Sequence, residues 1–219
     1  MKKSRQVFSK KPDTLFSVNK SEAQRHHEDD DEDFLEGYRM SDTKDYLNSN
    51  GIYHLCGDVN RASAEEVVEW IIAHNIKEKK VPYLTLIVTS HGGTCDHSFA
   101  ITDMIMGSSI PVRTVGLGVI ASCGLMIFMA GQKGERVLTP NCSILSHQFS
   151  GGDWGKQHEL VAGRMNMDLT GDKIMRHYKR CTGLTEKKIN EKLLPPQDVW
   201  LSAEEAKKLG ICDQIKLVT

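Results

Sequence analysis

The sequence carries almost no net charge, no long uninterrupted apolar run and no closely spaced cysteine pair. Each absence removes a class of function. A formal net charge of −1 over 219 residues leaves no basic excess for a nucleic-acid partner. The most apolar stretch, 112–130, is interrupted by Arg113, Ser122, Gly116, Gly118 and Gly124, so it does not read as a membrane span. The start Met1-Lys2-Lys3-Ser4-Arg5 has the basic character of a signal peptide, but no apolar segment follows it, and secretion is not expected. The six cysteines, Cys56, Cys95, Cys123, Cys142, Cys181 and Cys212, are scattered and form no C-x-x-C motif. They read as reduced, mostly buried thiols of a cytoplasmic protein. His91, Cys95 and His97 are the nearest approach to a ligand cluster, and no second cluster completes a metal site. No internal repeat is evident.

What is present is an ordinary globular composition, 39% hydrophobic and 26% charged, at a length that suits one sizeable core. Residues 1–48 differ from the rest. They are polar and contain the acidic run Glu28-Asp29-Asp30-Asp31-Glu32-Asp33, so they are expected to form a largely disordered extension ahead of a folded domain at 49–219.

Strand and helix signals alternate from Gly51 onward. Residues 52–55 read as a strand. Ser63 with Glu66 makes a capping box for a helix whose apolar face is Val67, Val68, Ile71 and Ile72. Residues 83–89 form a β-branched strand ended by Gly92-Gly93, and 98–106 a helix. The unit repeats with a strand at 112–119 and an apolar helix at 122–130. Short strands follow at 136–138 and 143–147, then a long helix at 154–181 closed by Gly183. Ser202 and Glu205 cap a last helix closed by Gly210. This alternation predicts an α/β fold with parallel strands and right-handed crossovers.

Four features carry candidate chemistry. Ser122 lies where a β-branched strand gives way to an apolar helix. A serine there is usually a cap. With Ala121 and Gly124 beside it, it also has room for a substrate and free N–H groups for a developing oxyanion. The segment is not a G-x-S-x-G elbow, since Ile120 takes the first glycine's place. Gly92-Gly93 is either a tight turn or a backbone that exposes N–H groups to a ligand. His147 ends a short strand, and histidine is the side chain that most readily serves as a general base near neutral pH. Asp198 is either a turn residue before Val199-Trp200-Leu201 or a partly buried carboxylate orienting a histidine.

Taken together, Ser90-His91-Gly92-Gly93, Ala121-Ser122-Cys123-Gly124, Ser146-His147-Gln148, Gly151-Gly152 and Asp198-Val199-Trp200-Leu201-Ser202-Ala203-Glu204-Glu205-Ala206 resemble, in order and spacing, the proteolytic subunits of the Clp protease family. The tail Leu209-Gly210-Ile211-Cys212-Asp213 also fits, and the match runs from Gly51 to Ile215. The resemblance implies a spiral of ββα units shared with the crotonases, with a protruding handle helix. It implies a serine endopeptidase with Ser122 as nucleophile, His147 as base and Asp198 as orienting acid. The oxyanion hole would come from the N–H groups of Gly93 and Cys123. Phe149, Ser150, Gly151 and Gly152 would belong to a strand that pairs with an extended substrate. It further implies heptameric rings stacked as a tetradecamer, unfolded protein substrates, and an AAA+ unfoldase that uses the ATP, with no cofactor in this chain.

The chain departs from the family pattern as a divergent copy would, such as a phage or plastid version. His91 replaces a proline, Cys123 a methionine, and Gln197 an arginine that helps couple rings. Thr85 and Ile87 lie on the strand whose tyrosines line the family's unfoldase-docking groove. Two other functions compete: a non-cutting ring subunit, and a crotonase-type acyl-CoA enzyme, which would need no Ser-His-Asp set.

Overall fold

The computed structural model describes residues 40–218. In chain order the elements are α1 (Met40–Ser49), β1 (Ile52–Val59), α2 (Arg61–Ile76), β2 (Leu84–Gly93), α3 (Cys95–Gly107), β3 (Val112–Ala121), α4 (Cys123–Met129), β4 (Arg136–Leu138), β5 (Ser143–Ser146), α5 (Gln157–Thr182), α6 (Glu186–Lys192), β6 (Val199–Leu201), α7 (Ala203–Lys208) and β7 (Gln214–Ile215). The expected α/β alternation is borne out.

The strands form a seven-stranded sheet in the order β1-β2-β3-β4-β7, with β5 on β3 and β6 on β5. The fork lies in β3. Its first half, Thr114–Gly116, pairs with β4, and its second half, Val119–Ala121, pairs with β5. Between the halves stands Gly118 at φ +65, where an added Cβ would meet Thr89 Cγ2 at 3.8 Å. A residue in the left-handed region turns the strand, and glycine does this without steric cost.

Most pairs are parallel, as expected, and one pair, β5 with β6, is antiparallel. The cause is an anchor: Gln148 Nε2 donates to Leu194 O at 2.9 Å, and Leu193, Leu194 and Pro195 are buried. The chain therefore enters β6 at the far end of β5 and must run back along it.

Helix α4 is buried along its whole length and packs on β2, β3, α3 and α5. Burying each large apolar side chain here, such as Leu125, Ile127 or Phe128, contributes about 1.5–3 kcal/mol. Arg136 on β4 is buried and gripped by Asp213, with Nε to Oδ2 at 2.9 Å and Nη2 to Oδ1 at 2.7 Å. Gly134 N and Arg136 N also donate to Oδ2. That cluster fastens the end of the chain to the sheet.

Helix α5 divides into two parts. Its second half buries Thr170, Ile174, His177, Tyr178 and Cys181, at the spacing of one helical face. Its first half leaves Leu160, Val161, Met165 and Leu169 exposed. The helix spans about 39 Å at 1.5 Å per residue, so its outer half projects as a handle.

Several local expectations are corrected. The last part of the expected extension, 40–48, is helical: Lys44 pairs with Glu66 at 2.7 Å, and Trp70 Nε1 donates to Asn48 O at 3.3 Å. The acidic run and the rest of 1–39 lie outside the described residues. Helix α2 starts earlier than Ser63. Asn60 is its N-cap, and Ser63 is the N3 partner of that capping box. Its buried face is Ala64, Val67, Trp70, Ile71 and His74, with Ile72 exposed. Helix α4 begins at Cys123, after Ser122 rather than with it.

Candidate active site

Strand β3 ends at Ala121 and helix α4 begins at Cys123, so Ser122 alone makes the turn between them. Its backbone sits at φ 54, ψ −122, and among the described residues it is the non-glycine with positive φ. Such a conformation costs about 1–3 kcal/mol and persists only where the surroundings impose it. Three things impose it here. Ser122 N donates to Leu145 O on β5 at 3.0 Å, and Ser122 O accepts from Met126 N at 3.2 Å. Gly92 lies against the turn so closely that a Cβ there would be 2.7 Å from Ser122 Cβ and 3.0 Å from Cys123 N.

Ser122 does not cap α4 with its side chain. The ordinary reason for a serine at a helix start is therefore not met. Cys123 N belongs to the first turn of α4, where backbone N–H groups have no intrahelical acceptor. The Cys123 side chain is buried and donates to Gly93 O at 3.2 Å.

Sheet register carries the other candidates to the same place. Ala121 pairs with Leu145 in parallel, so β3 and β5 end side by side, with Ser122 and His147 just beyond. Leu145 pairs with Trp200 and Ser146 with Val199. His147 and Asp198 are the next residues outward from that last pair. Two bonds hold this corner: Ser146 Oγ to Tyr178 OH at 2.9 Å, buried against α5, and Gln148 Nε2 to Leu194 O. The Tyr178 hydroxyl is pushed up to about 12 by burial, so it remains protonated as a neutral partner.

Among the described residues, no hydrogen bond joins the side chains of Ser122, His147 and Asp198. Asp198 is exposed, as the turn-residue alternative has it, and not a partly buried carboxylate in the single chain. It precedes a three-residue edge strand, which among the described residues pairs only with β5. The register thus gathers the three residues without closing them into a bonded chain.

Of the other predicted residues, Gly93 pairs with Val59 at the end of β1, and a Cβ there would meet Val59 O at 2.2 Å. Phe149 is half-buried against the core, while Ser150, Gly151 and Gly152 are exposed. The segment 147–156 is irregular rather than a strand, since a strand needs a partner and none lies alongside among the described residues. His91 is exposed, Cys95 faces Cys123, and His97 Nδ1 is buried without a hydrogen-bond partner. Among the described residues, no three His, Cys, Asp or Glu side chains are placed to hold a metal ion.

Sequence reasoning missed Ser90, whose buried Oγ accepts from Gly92 N at 3.0 Å and so fixes the glycine turn. The only local signal was a hydroxyl two residues before a glycine, a common turn pattern. It also missed Gly124's role: a Cβ there would press on Ser90 at 3.0 Å, so this glycine lets α4 settle onto β2.

No helix among the described residues is long and apolar enough to cross a membrane. The chain is 29% identical over 199 residues to the ATP-dependent Clp protease proteolytic subunit 2 of Treponema denticola, covering 90% of this chain and 94% of that one. The family model for Clp protease matches residues 35–218. With the forked sheet, the handle and the Ser122 turn all inside that span, the chain belongs to the Clp protease family.

Proposed function

We propose that the chain is a serine-type endopeptidase, the proteolytic subunit of an ATP-dependent Clp-like protease. The observation that carries this reading is the backbone of Ser122, strained at a strand-to-helix turn with its hydroxyl unused as a cap. His147 removes the hydroxyl proton, and Ser122 Oγ attacks the scissile carbonyl. The N–H groups of Gly93 and Cys123 receive the oxyanion, and Asp198 holds the imidazole in its working tautomer. His147 then protonates the leaving amine, and water releases the acyl group. The irregular segment Phe149, Ser150, Gly151 and Gly152 gains its missing partner when an extended substrate lies along it.

Assembly belongs to the same proposal. The exposed Leu160, Val161, Met165 and Leu169 on the outer half of α5, with Trp154 97% exposed nearby in sequence, need covering. Heptameric rings stacked as a tetradecamer would cover them and enclose the sites. An AAA+ unfoldase would deliver unfolded chains in the cytoplasm and use the ATP.

The exposure of Asp198 favours one second reading, a ring subunit that does not cut. A fluorophosphonate probe and a fluorogenic peptide decide between them. The assembled protein should label at Ser122 and hydrolyse the peptide, and Ser122→Ala should lose labelling and several orders of magnitude in rate while keeping its fold. Hydrolysis by Ser122→Ala at the unsubstituted rate, or an assembled protein that never labels, would overturn the peptidase reading.

A further inference from the structure

Two cysteines meet beside the Ser122 turn. Cys95 opens α3 and Cys123 opens α4, and their sulfurs are 3.9 Å apart, with the Cys123 thiol pointing at Cys95. The two differ in reach. Cys95 is half-buried, while Cys123 is buried. They also differ in chemistry. The neighbouring Cys123 thiol lowers the Cys95 thiol from its ordinary value, which favours the thiolate at Cys95. The hydrogen bond with Cys95, and then burial, push Cys123 up.

The other cysteines do not share this arrangement. Burial raises Cys142 to about 12, and Cys181 and Cys212 to about 11 each. Cys56 is exposed on β1.

We propose that Cys95 and Cys123 are a reversible dithiol–disulfide pair, with Cys95 the attacking and Cys123 the resolving thiol, whose closure withdraws the Cys123 N–H from the oxyanion position. The oxidant is a low-molecular-weight disulfide. Cys95 thiolate attacks one of its sulfurs, the S–S bond breaks, and one thiolate leaves and takes a proton. Cys123 then gives up its proton and attacks Cys95 Sγ, expelling the second small thiol. Two protein thiols are oxidised, one small disulfide is reduced to two thiols, and the atoms balance.

The functional consequence follows from what Cys123 touches. A disulfide bond is about 2.05 Å long, so the sulfurs must close by about 1.9 Å. Cys123 Sγ now rests 3.2 Å from Gly93 O. Closing the bond breaks that contact and draws the first residue of α4 toward α3, next to the strained Ser122. This consequence rests on the serine-peptidase reading above, whereas bond formation does not.

The test uses the full chain carrying Cys56→Ser, so that surface crosslinks do not intrude, titrated with oxidised glutathione. Peptide mapping should show a Cys95–Cys123 link. Hydrolysis of a fluorogenic peptide should fall about a hundredfold or more, the range for loss of an oxyanion donor, and return with dithiothreitol. A further Cys95→Ser substitution should keep its rate under the same oxidant. Absence of the link, a link with unchanged rate, or equal inactivation of the Cys95→Ser protein would overturn the proposal. Mapping reads the link by mass alone. A protein that forms the link but never labels or cleaves when reduced would therefore sink the functional half together with the peptidase reading and leave the thiol pair standing.

Discussion

Gly92 and Gly57 make a matched pair for testing whether the Ser122 turn is held by contact. Gly92 has φ +103 and Gly57 has φ +108, so a side chain is equally unwelcome at either on conformational grounds. Their surroundings differ completely. A Cβ at Gly57 meets nothing within 4 Å, whereas a Cβ at Gly92 lies 2.7 Å from Ser122 Cβ, 2.9 Å from Ala121 O and 3.0 Å from Cys123 N. Gly57→Ala should therefore cost the backbone strain alone, about 1–3 kcal/mol. Gly92→Ala should cost that plus about 1–3 kcal/mol of overpacking.

Activity separates the two more sharply. Restoring ordinary contact at Gly92 means moving Ser122 by roughly 1 Å, a displacement that can cost about a hundredfold at a reacting centre. Peptide hydrolysis should fall by about that factor in Gly92→Ala and by less than about threefold in Gly57→Ala, measured as kcat/KM beside thermal unfolding of both. Equal losses of activity would refute the reasoning, because the strain they share would then explain everything.

Two further outcomes concern stability. Asp213→Asn should destabilise the fold by about 3–5 kcal/mol, because it leaves the buried Arg136 guanidinium without its counter-charge; denaturant midpoints within about 1 kcal/mol of the parent would contradict this. Burial works to raise the Asp213 carboxyl, yet Arg136 and the N–H of Gly134 hold it below the ordinary value. Its contribution is thus complete above about pH 4 and is lost as pH falls through the lower folded value. His177, buried with Nε2 donating to Met126 O at 2.8 Å, is held below the ordinary histidine value, chiefly by burial. The unfolded chain takes up a proton the folded ring refuses, so stability should be full above about pH 6.5 and erode below it. His177→Gln should flatten that step in urea midpoints measured from pH 8 to pH 5, and an undiminished step would place the titration elsewhere.

The order of strands and helices was legible because its periodicities are strong, as in the β-branched 84–89 and the apolar 123–130. Where the sequence misled, two local signals competed. Asn60 and Ser63 each begin a valid capping pattern, and only the continuation of β1 to Val59 decides for Asn60. Helix α6 has a single buried residue, Ile189, among charges, which gives no periodic face to read. The direction of β6 depends on Gln148 reaching Leu194 O, a contact across 46 positions. No window on the sequence contains it.

The site divides in the same way. Position was legible: Ser122 at a strand-to-helix junction, His147 at a strand end, Asp198 before a short strand. Conformation was not. A serine there would ordinarily take an extended backbone and turn its hydroxyl onto the helix, satisfying an N–H at a gain of about 1 kcal/mol. This one gives up that bond and accepts strain besides. Both costs fall on one residue, and neither is offset by its own side chain. They are borne by the bond to Leu145 O, by Met126 and by the absence of a Cβ at Gly92. A turn kept against its local preference by three separate segments is over-determined. Under the proposed peptidase reading the serine at this turn is the nucleophile, and the strained backbone is what keeps it from serving as a helix cap.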